Sequence, residues 1–148
     1  MDKKFLKKII AQSQEDLQII SACCSEAKIK INDIKYLPSN KIFLIFLSRI
    51  NNEETDNKRL INSIVKFEFI DSTKSKNIDQ NNLDLVLELL AINVFKKGNN
   101  FEITLLFSKN RIITLIAEVI EVTLEDQKLL NDKYYSDSRS KSLPSQIL

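Results

Sequence analysis

The sequence predicts an α+β fold in which one amino-terminal helix packs on a mostly antiparallel sheet of about six strands. Two observations lead to this prediction. Residues 14–25 have the helical spacing of apolar residues, and several later segments alternate apolar and polar residues with period two. Short polar breaks separate the later segments, as is typical of hairpins. Such a sheet is expected to curl into a half-barrel or a small sandwich.

The helix follows a short segment, residues 5–10, whose apolar residues fit either a short helix or a first strand. Ser13 then begins the helix as a capping box, because its hydroxyl can accept an early backbone N–H and an acidic residue, Asp16, follows three positions later. The stripe that we expect to pack on the sheet consists of Leu17, Ile20 and Cys24.

Four strands are predicted before the last hairpin. They occupy residues 27–37 with a bend at Asn32 and Asp33, residues 41–50, residues 59–71 and residues 83–95. Polar segments over residues 51–58 and 72–82 are predicted to be loops. Residues 83–90 also fit a helix, since leucine and glutamate favour one, but their alternation and the turn-like residues 97–100 favour a strand.

The hairpin over residues 101–126 is the segment around which we expect the fold to be organised. Its two alternating halves flank a polar break at Lys109 and Asn110, and Asn110 tolerates the positive φ that a tight turn needs. Several residues of the opposite face are apolar as well, so we expect the hairpin to be covered on both sides and central to the core. These residues are Leu106, Ile112, Ile116 and Ile120.

Chain length predicts one domain, and the pattern of apolar residues predicts a cytoplasmic protein. A chain of 148 residues supports a single globular domain, here residues 1–126, and residues 127–148 lose all periodicity and are predicted to be a flexible tail. No apolar run could span a bilayer, and the amino terminus has too short an apolar stretch for a secretory signal. The net charge of +2 gives no global field toward nucleic acid or a membrane.

Composition also excludes several kinds of site. The chain has no histidine, so neither a Ser-His-Asp arrangement nor the usual zinc site can be assembled. Its single glycine excludes glycine-rich phosphate loops. The adjacent Cys23 and Cys24 lie at the end of the predicted helix, where the helix dipole disfavours a thiolate, so we expect small buried thiols. We expect no cofactor and no metal.

Carboxylates are the first group of candidate site residues. Asp33, Glu118 and Asp126, together with Glu121, could act as a general acid and base or hold a hard cation, although their spacing does not require that they converge. For Glu118 the alternative is a structural ion pair with Arg49 or Arg111.

The second group consists of one tyrosine and two arginines. Tyr36 begins a Tyr-Leu-Pro sequence that is either a rigid turn or a binding motif. Arg49 and Arg59 flank the polar loop, and a hairpin would bring them together as an anion or RNA-phosphate site. The alternative is that both arginines form solvated ion pairs with acidic residues of that loop.

Several short sequences together resemble a known family. They are Glu15-Asp16-Leu17 and Ile20-Ser21-Ala22, then Asp33 with Tyr36-Leu37-Pro38, then Arg49, Leu89-Leu90-Ala91-Ile92, and the run from Ile113 to Asp126 with Glu118 and Ile120-Glu121. In this order they resemble a bacterial family known as domain of unknown function 2948, over the chain up to about Asp126. The chain departs from the family at the central turn, where Ser108-Lys109-Asn110 replaces glycines, and in the tail, which lacks the family's Trp and Pro-rich ending. The resemblance implies no mechanism.

Three classes of function therefore stay open. The first is a non-catalytic protein-interaction module that uses a sheet edge or exposed apolar residues. The second is an RNA or nucleic-acid-associated accessory factor that uses Arg49, Arg59 and the amino-terminal lysines. The third is a small-molecule or metal-dependent enzyme based on the carboxylates. The interaction module is preferred, and an unpaired sheet edge could also join two copies of the chain.

Overall fold

The structure, a computed structural model, describes residues 6–51 and 59–127, with the backbone alone at residues 51 and 59. The described elements are β1 Lys8–Ala11, α1 Gln14–Cys23, β2 Lys28–Lys30, a 3₁₀ turn Ile31–Asp33, β3 Ile34–Leu37, β4 Ile42–Asn51, β5 Arg59–Glu68, β6 Ile70–Lys76, β7 Val86–Lys97, β8 Asn100–Phe107, β9 Arg111–Ala117 and β10 Val122–Asp126. Apart from Gln127, the predicted tail lies outside the described residues, as does the loop between β4 and β5.

All ten of these strands belong to one open antiparallel sheet. Its order is β1-β10-β5-β4-β2-β7-β8-β9-β6, and β3 pairs with β4. The helix α1 packs against β7, β1 and β4. The predicted combination of an amino-terminal helix and a mostly antiparallel sheet is confirmed, but the strands form one open sheet and not the two sheets of a sandwich. Within the described ranges, no helix is long and apolar enough to cross a membrane.

The predicted number of about six strands is wrong, because short backbone irregularities divide the predicted strands. The 3₁₀ turn Ile31–Asp33 separates β2 from β3. Phe69 has a φ of 62° and separates β5 from β6, which continues to Lys76 through a segment predicted to be a loop. Residues 118–121 separate β9 from β10, and the ambiguous amino-terminal segment adds β1.

The hairpin of β8 and β9 is confirmed, but it is neither covered on both faces nor central. Lys109 and Asn110 have φ values of 65° and 60°, which is the left-handed pair that a two-residue turn requires. Most residues on the inner face of both strands are buried, whereas Leu106, Ile112 and Ile116 on the other face are only half-buried. Ile120, the fourth residue expected on that face, is buried but lies beyond the end of β9. Both strands lie near the β6 end of the sheet, with their main contacts to β6, β7 and each other.

The helix begins as the sequence predicts. Ser13 Oγ accepts a hydrogen bond of 3.1 Å from the backbone N–H of Asp16, which satisfies one of the free N–H groups of the first turn. Leu17, Ile20 and Cys24 are all buried in the core. The core continues across the inner face of the sheet, where the rings of Phe43 and Phe67 lie 5.8 Å apart in an edge-to-face arrangement.

Candidate functional site

A buried ion pair joins two of the residues that the sequence singled out. Arg49 lies near the end of β4 and Asp126 ends β10, and their side chains are 2% and 0% exposed. The guanidinium donates from Nε to Asp126 Oδ1 at 2.9 Å and from Nη2 to Oδ2 at 2.7 Å. This two-point contact is the strongest geometry that an arginine and a carboxylate can form. Two of the three guanidinium nitrogen atoms of Arg49 are therefore bound to Asp126.

Two further donors complete the surroundings of the carboxylate. The Ser63 hydroxyl on β5 donates to Asp126 Oδ1 at 2.6 Å, and the backbone N–H of Lys7 donates to Oδ2 at 2.9 Å. The backbone N–H of Asp126 in turn donates to the carbonyl of Lys7 at 2.9 Å. The pair and its hydrogen bonds thus connect β4, β5 and β10 with the segment that leads into β1.

The protonation state of this pair follows from its partners. Burial alone would raise the pKa of Asp126, but the hydrogen bonds from Arg49, Ser63 and the Lys7 N–H outweigh it and hold this pKa below its usual value. Burial likewise opposes the charge on Arg49, and the hydrogen bonds to Asp126 outweigh it, so that the pKa of Arg49 is raised. Both groups stay ionised near neutral pH, and their charges cancel locally.

The sequence contained a signal for this centre that residue-by-residue reasoning missed. Arg49 continues the period of the inward-facing residues of β4, Ser63 that of β5 and Asp126 that of β10. Polar residues in phase with three buried faces are expected to meet inside the protein, because side chains alternate strictly between the two faces of a strand. The same period could have predicted that Arg49 is not a surface residue.

A cavity of about 420 Å³ lies beside the ion pair, between α1 and the end of β4. Its lining combines charged, polar and apolar side chains: Lys7, Glu15, Gln18, Ile19, Ala22, Cys23, Arg49 and Ile50. Lys7 Nζ lies 3.9 Å from Cys23 Sγ. The half-buried thiol of Cys23 therefore faces this cavity, whereas Cys24 is fully buried.

The two cysteines are expected to differ in reactivity. Burial raises the pKa of the Cys24 thiol to about 12, and the thiolate is the form that reacts. An aromatic disulfide reagent should therefore modify one thiol of the native protein and both after denaturation. Cys23→Ser should abolish the reaction of the native protein and Cys24→Ser should leave it unchanged. Equal reaction of both thiols in the native protein would contradict this assignment.

The other predicted site residues are separate from the ion pair. Tyr36 is buried, and its hydroxyl donates a hydrogen bond to the carbonyl of Ile70 at 2.9 Å. Its contacts are therefore structural ones within the core. Asp33 is half-buried in the 3₁₀ turn and lines a cavity of about 160 Å³. The backbone of Arg59 pairs with that of Asn51, and the Arg59 side chain lies outside the part of the chain that the structure describes.

Glu118 forms an ion pair, but the suggested partner is wrong. Its carboxylate contacts Lys41 Nζ at 2.5 Å, and Asp71 contacts the same ammonium at 3.0 Å. Neither Arg49 nor Arg111 takes part in this pair. The described residues contain no group of three or more acidic or cysteine side chains placed to hold a metal ion.

An uncovered surface lies at the other end of the sheet. We define the outer face as three rows of residues that cross β7, β8, β9 and β6 in register: Phe95-Glu102-Ile116-Ser72, Asn93-Thr104-Thr114-Lys74 and Ala91-Leu106-Ile112-Lys76. Phe95 is 61% exposed. The main contacts of α1 are with β7, β1 and β4, so the helix leaves most of this face open.

Three of the twelve residues of the outer face are charged, and the other nine are uncharged. The face carries one acidic residue, Glu102, whose carboxylate lies 3.3 Å from Lys97 Nζ. Lys74 and Lys76 lie on the end strand β6 and form no ion pair with the described residues. The sequence predicted that much of this face is apolar and that it is covered, whereas in the structure α1 leaves most of it open.

Comparison with known proteins gives one match. A family model described as a protein of unknown function (DUF2948) matches residues 7–141. The match covers most of the chain and extends further toward the carboxyl terminus than the resemblance to about Asp126. No curated protein and no solved structure matches the chain.

Proposed function

The chain belongs to the DUF2948 family, and we propose that it is a non-catalytic protein-interaction module that binds a cytoplasmic protein through its outer face. The observation that carries the proposal is that the outer face exposes the Phe95 ring and carries three half-buried apolar side chains, Leu106, Ile112 and Ile116, with Glu102 and the polar middle row between them. Exposed aromatic and aliphatic side chains among mostly uncharged polar ones are a usual feature of a protein-binding surface.

The size of the face limits how a partner can bind. Four strands at their usual spacing and three rows of side chains cover about 19 Å by 20 Å, or roughly 400 Å². A stable complex buries about 800 Å² on each partner. A partner must therefore also contact surface next to the outer face. The edge of β7 is part of that neighbouring surface.

The geometry gives less support to the two other functions. RNA binding was based on Arg49, Arg59 and the amino-terminal lysines, and of these the Arg49 guanidinium is buried and bound to Asp126. The carboxylates named for catalysis occupy different contacts, since Asp126 bonds to Arg49 and Glu118 to the surface residue Lys41. Neither arrangement leaves these groups directed at a substrate.

Paired variants can test the proposal. Ile116→Ser on the outer face should release a protein partner, because it removes apolar contact area without changing charge. Ile64→Ser is the matched control, since Ile64 is a half-buried isoleucine that faces outward from β5 at the other end of the sheet. The measurement is affinity purification from a lysate of the source cells with wild type and both variants, at low and moderate salt.

The proposal expects the same polypeptide with wild type and Ile64→Ser at both salt concentrations, and its loss with Ile116→Ser. Thermal unfolding should show that both variants are folded. Retention of the partner by Ile116→Ser, or equal loss with both variants, would contradict the outer face as the binding surface. Nucleic acid that elutes between the two salt concentrations would instead favour the accessory-factor function.

A further inference from the structure

Strand β7 has a partner on both edges only along its first part. One edge pairs with β8 from Leu89 to Lys97. The other edge pairs with β2 over Val86–Glu88 and then bonds to the chain that follows α1. Its last hydrogen bond is from the N–H of Ile92 to Ser21 Oγ on the helix, at 2.9 Å. From residue 93 to residue 97, no described residue hydrogen-bonds to this edge.

The direction of the free backbone groups follows from that last hydrogen bond. Because the N–H of Ile92 points toward α1, the N–H and C=O groups of alternate residues, Val94 and Lys96, point to the same side. Asn93 and Phe95 direct theirs to β8. The free edge thus offers two donors and two acceptors in the spacing that an added strand would match. We call residues 93–97 on this side the β7 edge.

A groove runs alongside the β7 edge. Its volume is about 280 Å³, and it is lined on one side by Gln14, Leu17 and Gln18 of α1 and on the other by residues 92–95 of β7. The two glutamine amides can donate and accept hydrogen bonds. A groove between a helix and an unpaired strand edge has the form in which sheet-edge modules bind an extended peptide.

We propose that an extended segment of a partner protein binds in this groove as an additional strand on the β7 edge. The inference rests on the proposed function and names its binding mode. Backbone hydrogen bonds to Val94 and Lys96 would hold the segment, and one of its apolar side chains would pack on the exposed ring of Phe95. Lys96 is exposed, with its ammonium 5.7 Å from the Phe101 ring centre, so charge complementarity favours an acidic residue opposite it.

A proline substitution tests the backbone part of the proposal. Lys96→Pro removes the outward N–H and leaves the hydrogen bonds between β7 and β8 in place, since proline is tolerated on the free side of an edge strand. The probe is a peptide selected on the wild-type protein from a displayed random library. We expect Lys96→Pro to weaken its binding by about tenfold or more. Lys96→Ala, which keeps the N–H, should weaken it only about two- to threefold.

Amide resonances locate the bound peptide independently of any variant. Binding of the selected peptide should shift the N–H resonances of Val94 and Lys96 in the wild-type protein. The consensus of the selected peptides should contain an acidic residue. The inference is overturned if no selected peptide binds, if the shifts fall elsewhere, or if Lys96→Pro binds as wild type. Concentration-dependent self-association that Lys96→Pro abolishes would assign the edge to a second copy of this chain and would also overturn it.

The two proposals can fail separately. The interaction module is retained and strand addition is rejected if Ile116→Ser loses the protein partner while Lys96→Pro leaves peptide binding unchanged. If neither the lysate nor the library yields a partner, both proposals fail. A lysate partner that Ile116→Ser retains, together with peptide binding that Lys96→Pro abolishes, would support strand addition and reject the outer face as the binding surface.

Discussion

Replacing Arg49 with methionine is expected to lower the free energy of unfolding by about 3–5 kcal/mol. The substitution keeps most of the side-chain volume but leaves the Asp126 carboxylate, which is 0% exposed, without its charged partner. Ser63 and the Lys7 N–H remain as donors, yet neither carries a charge. The measurement is urea unfolding near neutral pH, with circular dichroism as the signal.

Two comparisons separate the ion pair from a general effect of losing an arginine. Arg111→Met removes a half-exposed arginine from β9 and should change the free energy by no more than about 0.5 kcal/mol. The double variant Arg49→Met, Asp126→Leu should be less destabilised than the sum of the single variants, with a coupling of about 1–3 kcal/mol. A cost for Arg49→Met that equals that of Arg111→Met would contradict a structural role for the pair.

Much of the fold could be predicted because the signals were local. The Ser13 cap, the stripe of α1 and the turn at Asn110 all depend on residues within a few positions of one another. The division of strands could not be predicted, since Phe69 takes its positive φ without being a glycine or an asparagine. Its conformation is stabilised by contacts between distant segments, such as the hydrogen bond from the Glu118 N–H to the Phe69 carbonyl.

The candidate sites depended on long-range pairing, and there the sequence was less informative. Arg49 and Asp126 were both named, but 77 positions separate them, and only the strand order brings β4, β5 and β10 together. The β7 edge had no sequence signal at all. A strand is left unpaired because of where its neighbours end, and here β2 is only three residues long.

The unfolding free energy is also expected to fall steeply as the pH drops below about 4, and Asp126 should account for most of this change. The pKa of Asp126 is held below its usual value in the folded state by Arg49, Ser63 and the Lys7 N–H. In the unfolded chain the same carboxyl titrates near pH 4. The stability that it contributes is therefore fully present above that pH and is lost as the pH falls through the lower, folded-state pKa.

Neutral variants identify the carboxyl that is responsible. Asp126→Asn should be less stable than wild type at pH 7. Between about pH 5 and pH 3, on either side of the ordinary carboxyl pKa of about 4, it should lose less further stability than wild type does. Asp71→Asn is the matched control, because the pKa of Asp71 is also lowered, by its hydrogen bond with Lys41, but its carboxylate is solvent-exposed. Water and salt screen such a pair, so this variant should keep most of the wild-type slope. An acid slope that disappears with Asp71→Asn and persists with Asp126→Asn would show that the surface cluster, rather than the buried pair, governs acid unfolding.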